Sequence, residues 1–117
     1  MIVDDNEDFI QRMTGMLDEM DTVDQIQFAR NYDEACELMS TDSPDLILLD
    51  IALPGKNGIS LLKKIRQSTW KGDVIMLSNH SGDFYRERCK RLGALYFLDK
   101  TAEFDMVPKI IHRLHAN

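Results

Sequence analysis

Cysteine is scarce in this sequence, with two among 117 residues, Cys36 and Cys89. Both lie inside amphipathic segments and neither has a neighbour at metal-ligand spacing. A disulfide framework and a cysteine-rich metal site are therefore excluded, and a reduced intracellular compartment fits. Three prolines and six glycines are too few for a collagenous or low-complexity chain. Long apolar runs are missing too: the stretch Leu46, Ile47, Leu48, Leu49 is far short of the about 20 residues that a membrane span needs. Cations are outnumbered, 14 lysines and arginines against 20 aspartates and glutamates, for a net charge of −6 at pH 7. That balance argues against nucleic acid as a direct partner, because a phosphate backbone is bound by clustered cations. The start, Met1-Ile2-Val3-Asp4-Asp5, has no basic segment leading into an apolar one, so no secretory signal is read. The expected compartment is the cytoplasm, away from any membrane.

What is present is an ordinary globular composition, 44% hydrophobic and 29% charged. At roughly 150 residues per domain, the length predicts a single domain over residues 1–117, with no second domain attached.

Short apolar runs alternate with segments of helical period, the signature of repeated βα units and a parallel sheet. Ile2 and Val3 form a very short first strand. Phe9, Ile10, Met13, Leu17 and Met20, spaced by three and four, mark one helix face. The stretch 23–29 reads as a half-exposed edge strand, and Asp33 as the cap of a second helix burying Ala35, Cys36, Leu38 and Met39. The continuous run between Asp45 and Asp50 suits a central strand covered on both faces. Asn57 caps a third helix that buries Ile59, Leu62 and Ile65. Val74 to Leu77 is a fourth strand. Ser81 is read as the cap of a fourth helix with Tyr85, Cys89 and Leu92 inward, closed by Gly93. Leu95 to Leu98 is the fifth strand. Phe104, Val107, Ile111 and Leu114 stripe a last helix, which must start near Phe104 for Pro108 to fall in its first turn.

In open parallel sheets ligands bind beyond the carboxyl ends of the strands. There this sequence places Asp4 and Asp5, then Asp50, then Ser78, then Asp99 and Lys100. If those strands are neighbours, three carboxylates, a hydroxyl and an ammonium converge on one cleft. Two like charges about 4 Å apart repel by about 4 kcal/mol at an effective dielectric of 20, so the cluster must protonate or hold a cation. Hard oxygen ligands match Mg²⁺. Asp50 is then a carboxylate able to attack phosphorus, with Lys100 and the metal offsetting charge on the phosphoryl oxygens.

These residues resemble the receiver domain of two-component response regulators, over essentially the whole chain. The likeness rests on Asp4-Asp5, on Asp50-Ile51-Ala52-Leu53-Pro54-Gly55-Lys56-Asn57-Gly58, on Ser78 and on Lys100, in that order at successive strand ends. It implies a flavodoxin-like, doubly wound α/β fold, with helices on both faces of a five-stranded parallel sheet ordered 2-1-3-4-5. It also implies Asp50 as phosphoacceptor, Asp5 as direct ligand of Mg²⁺ (or Mn²⁺), Asp4 as a ligand mainly through water, and the backbone carbonyl of Ala52 as a further oxygen. Lys100 pairs with the acceptor, Ser78 hydrogen-bonds the phosphoryl group, and Phe97 is the aromatic switch. Ala52, Asn79 and His80 stand at positions that tune phosphoryl lifetime. The implied donor is a histidine kinase or phosphotransfer protein. The readout is the face of helix four, strand five and helix five, toward a downstream protein, an output domain or a second copy in a phosphorylation-dependent homodimer. Self-phosphorylation and dephosphorylation, and no turnover of a separate substrate, are expected.

Three positions depart from the family pattern. Thr101 stands where proline usually follows the lysine in a cis peptide, and is read instead as a cap for the last helix. Asn79 is bulkier than the usual small residue, and Phe97 lacks a hydroxyl, leaving packing alone to work the switch.

Other readings of the same residues are blander. An isolated Asp-Asp pair is most often a helix cap, His112 and His115 read as a solvated helix end, and the cysteines and most methionines read as core. A haloacid-dehalogenase-type phosphohydrolase needs a second aspartate where Ala52 stands, and no G-x-x-x-x-G-K-[ST] phosphate loop occurs. A flavodoxin's cofactor phosphate would be repelled by Asp4-Asp5-Asn6-Glu7-Asp8. The remaining rival is a pseudo-receiver that only binds a partner.

Overall fold

In the run Ile47, Leu48, Leu49 all three side chains are buried, and successive residues of an extended chain point to opposite faces. Such a strand needs a cover on each side. The computed structural model, which describes residues 1–79 and 83–116, supplies both. Within those residues five parallel strands alternate with five helices. The strands are β1 (Ile2–Val3), β2 (Phe28–Ala29), β3 (Leu46–Asp50), β4 (Asp73–Ser78) and β5 (Tyr96–Asp99). The helices are α1 (Glu7–Leu17), α2 (Tyr32–Thr41), α3 (Gly58–Gln67), α4 (Asp83–Arg91) and α5 (Met106–Ala116). The sheet order is β2-β1-β3-β4-β5, the flavodoxin-like arrangement.

Each face of the sheet has its own apolar cluster. Ile47, Leu49, Val74, Met76 and Phe97 pack with Ala35 of α2, Leu61, Leu62 and Ile65 of α3, and Cys89 of α4. Leu48, Ile75, Leu77 and Leu98 pack with Phe9, Ile10, Met13 and Leu17 of α1 and with Val107 and Ile110 of α5. The burial of Cys89 pushes its thiol above the usual range, in keeping with a core residue. Cys36 is half-buried and packs against the first cluster.

Several boundaries differ from the sequence reading. The edge strand holds only Phe28 and Ala29, because β1 offers partners only at Ile2 and Val3, and Val23 is turned back onto the carbonyl of Met20. The cap of α2 is Asn31, whose side chain accepts the N–H of Glu34; Asp33 lies inside the first turn. Tyr85 is exposed rather than inward, and only Cys89 of its proposed stripe is fully buried. Asn57 does cap α3, and Gly93 takes the left-handed conformation, φ 100°, beyond α4. Ser81 lies outside the described residues.

Between β5 and α5 the chain is organised by Asp99, not by Thr101. The Asp99 carboxylate accepts the N–H of Thr101 at 2.8 Å and of Ala102 at 2.7 Å, while α5 starts only at Met106. Pro108 still falls in the first turn of that helix, where its missing N–H removes no intrahelical bond. The Lys100–Thr101 peptide is trans.

Those two hydrogen bonds hold the Asp99 carboxyl below the usual carboxylate range. A group with a depressed native pKa stabilises the fold above its unfolded pKa and stops doing so as pH falls through the native value. Asp99→Asn should therefore be less stable than the parent in urea unfolding at pH 7, and the difference should close as the pH is taken below the carboxylate range.

Candidate functional site

The strand order sets the carboxyl ends of β1, β3, β4 and β5 side by side, so residues up to 96 positions apart in sequence line one cleft. Asp4 follows β1, Asp50 ends β3, Ser78 ends β4 and Lys100 follows β5. Carboxylate oxygens of Asp4, Asp5 and Asp50 lie within 4.8 Å of one another. The Lys100 Nζ lies 2.7 Å from Asp4 Oδ2 and 3.4 Å from Asp50 Oδ2.

These groups differ sharply in their surroundings. Asp4 is 1% exposed and Asp50 4%, whereas Asp5 is open to water. Asp4 is already committed: its Oδ1 accepts the backbone N–H of Asn6 at 2.9 Å, and its Oδ2 faces the ammonium. Asp5 is thus the carboxylate with free ligand capacity. Burial pushes the Asp50 carboxyl above the usual range, the negative charge of Asp4 pushes it further, and the Lys100 ammonium pulls it back. Three carboxylates against one ammonium leave two negative charges in a cleft of hard oxygen donors. This donor set and charge fit a divalent ion such as Mg²⁺.

Local backbone geometry fixes Asp50. Ile51 donates its N–H to the carbonyl of Leu77 at 3.2 Å, tying the end of β3 to β4, and its own carbonyl accepts the N–H of Gly58 at 2.8 Å. The Ala52 N–H donates to Asp50 Oδ1 at 3.3 Å. Gly58 starts α3 so close to this turn that a Cβ there would stand 2.1 Å from the Asp50 carbonyl oxygen. Ser78 is buried one residue beyond the Asp50 partner Leu77, and its carbonyl accepts the Lys100 N–H at 2.9 Å.

Of the residues picked out by sequence, the fold therefore brings together Asp4, Asp5, Asp50, Ser78 and Lys100, with Ala52 at the rim. Asn79 is exposed beside Ser78, and His80 lies outside the described residues. Phe97 is buried on β5, its carbonyl accepting a hydrogen bond from Arg86 Nη1 at 2.9 Å and its ring 5.0 Å from the same guanidinium. Sequence reasoning overlooked Arg86, and also Asn6, which caps α1 by accepting the Phe9 N–H while orienting Asp4. An asparagine directly before a helical period was a signal for the cap.

Comparison with known proteins follows the same lines. The family model for the response regulator receiver domain matches residues 1–112. The DNA-binding transcriptional activator EvgA of Escherichia coli K12 is 33% identical over 66 residues, 56% of this chain. The chain matches only 32% of that relative's length. The signal receiver domain of a DNA-binding response regulator from Colwellia psychrerythraea 34H superposes with TM-score 0.91 at 27% identity, covering 99% of this chain and 96% of that one. The receiver domain of Klebsiella pneumoniae RstA, in a BeF3-activated form, gives 0.84 at 28% identity, covering 97% and 94%.

Two outcomes are expected from this geometry. Because the native pKa of Asp50 is raised, its ionisation costs the fold stability once pH passes the carboxylate range. Asp50→Asn should be more stable than the parent at pH 7 in chelator, the gap shrinking at pH 4 and also on adding Mg²⁺, as read by urea unfolding. Gly58→Ala should destabilise by about 1–3 kcal/mol, since backbone must move to admit the methyl group, and should weaken Mg²⁺ binding measured by calorimetry.

Proposed function

The chain belongs to the response regulator receiver domain family, and from that premise we propose that Asp50 is its phosphoacceptor, charged by a histidine kinase or a phosphotransfer protein. The observation that carries this reading is the Lys100 ammonium set between Asp4 and Asp50 at the mouth of the sheet.

Asp5 and Asp50, with the Ala52 carbonyl and Asp4, are the groups that would hold the ion. Bound there, Mg²⁺ or Mn²⁺ supplies positive charge against the oxygens of the phosphoryl group. A carboxylate oxygen of Asp50 attacks phosphorus as the bond to the donor nitrogen breaks, and the product is an acyl phosphate. Lys100, already 3.4 Å from Asp50 Oδ2, stays paired with the charge that moves onto the phosphoryl oxygens. The Ser78 hydroxyl donates to one of those oxygens, and the turn of Ser78 toward it frees space for Phe97 to repack.

The added charge of roughly −1.5 to −2 biases the face formed by α4, β5 and α5 toward its partner-binding arrangement. The partner is a downstream protein, an output segment or a second copy of the chain. Asn79 and His80 set how easily water reaches the acyl phosphate. The chain turns over no separate substrate in this reading, and its compartment is the cytoplasm. Among the described residues no helix is long and apolar enough to cross a membrane.

Incubation with acetyl phosphate and Mg²⁺, followed by intact mass measurement, tests the assignment. The parent should gain one phosphoryl group and Asp50→Ala none, and chelation should abolish the gain. Equal labelling of both proteins would overturn Asp50 as the acceptor, and no labelling of the parent where a control receiver labels would leave the chain as a partner-binding pseudo-receiver.

A further inference from the structure

The Lys100 ammonium touches a third group besides its two carboxylates. Its Nζ lies 4.7 Å from the centroid of the Phe9 ring. Phe9 belongs to the first turn of α1, is buried, and donates its N–H to the Asn6 side chain at 2.9 Å. The same asparagine donates its own N–H to Asp4. One residue thus sets both the carboxylate and the ring that flank the ammonium.

The ring is held independently of the lysine. It packs edge-to-face on Phe104, with centroids 5.7 Å apart and planes at 87°, and the Phe104 ring lies 4.7 Å from the Arg12 guanidinium. Phe9 is therefore anchored by α1, with Phe104 packed against its ring. A cation in a desolvated site is attracted to such a ring face by its quadrupole, more strongly than at an exposed one, and the Lys100 side chain is only 9% exposed.

Both carboxylates that hold Lys100 have a second demand on them. Asp4 is wanted by a divalent ion, and Asp50 loses its negative charge on the attacking oxygen when it is esterified. Either event withdraws a carboxylate contact that the ammonium has in the structure, and the phosphoryl oxygens then take its place. The ring face carries no charge to be neutralised and belongs to no metal-ligand set, so its pull persists through both.

We propose that Phe9 is a positioning residue for Lys100: its ring face keeps the ammonium within reach of Asp50 while the carboxylate partners of the lysine change. This rests on the role given to Lys100 under the proposed function.

Replacing Phe9 with leucine keeps an apolar side chain and removes the π face. At fixed Mg²⁺ and acetyl phosphate, Phe9→Leu should label on the order of tenfold more slowly than the parent, with Phe9→Trp restoring the rate. Phe104→Leu, which loosens the ring packing but leaves the Phe9 face over the lysine, should label near the parent rate. Phenylalanines carrying increasing numbers of fluorines at position 9 hold shape while weakening the face, and should slow labelling in graded steps. In metal-free protein the Lys100 ε-methylene protons, identified against Lys100→Arg, should be shifted upfield by the ring and return toward ordinary values in Phe9→Leu.

A flat fluorine series, parent-rate labelling by Phe9→Leu, equal slowing by Phe104→Leu, or an unshifted ε-methylene signal would each overturn the proposal. A parent that does not label at all would count against the proposed function, and the ε-methylene shift would then decide the ring contact by itself.

Discussion

Lys100 and the carboxylates around it set the terms for the rest of the molecule. Asp4 and Asp50 are buried at the end of a hydrophobic sheet and share the Lys100 ammonium, and Asp5 stands beside them. For Asp50, burial and the neighbouring Asp4 charge both oppose ionisation, which is an unfavourable arrangement for a chain selected for stability alone. The remaining negative charge fits a divalent ion, and the proposed phosphoryl chemistry would draw on it.

The surrounding fold keeps that charged cluster from relaxing. Two apolar clusters, one on each face of the sheet, lock β1, β3, β4 and β5 in register up to their last residues. Backbone hydrogen bonds then carry the register across the strand ends, from Ile51 to Leu77 and from Lys100 to Ser78. Asn6 orients Asp4 from the start of α1, and Gly58 lets α3 begin against the carbonyl of Asp50. A half-turn of adjustment in any of these would separate the carboxylates and remove the reason for the site.

The route from this cluster outward runs through β5. Phe97 lies three residues before Lys100, with its carbonyl and ring both engaged by Arg86 of α4. On the other side of the sheet, Phe9 connects Lys100 to Phe104 and the beginning of α5. Lys100 is thereby linked through Phe9 to the segment before α5, while Arg86 of α4 engages the same strand at Phe97.

Much of this was legible in the linear chain. The run from Leu46 to Leu49, buried on both faces, could only be a central strand, and the alternation of such runs with helical stripes fixed the class of fold. Asp4, Asp5, Asp50, Ser78 and Lys100 were visible as residues standing at strand ends, because strand ends follow from where apolar runs stop. Local signals also named Asn57 as a cap and Gly93 as a left-handed stop. They failed where pairing or packing between distant segments decides: the edge strand shrank to the two residues β1 can pair, Tyr85 faced outward, and Asp99 rather than Thr101 shaped the approach to α5. Which carboxylate holds the lysine, which one stays open to water, and that a phenylalanine from α1 lies against the same ammonium were decided only by the tertiary structure. Such facts depend on distances of a few ångströms between residues nearly a hundred positions apart, and hydrophobic periodicity carries no information at that scale.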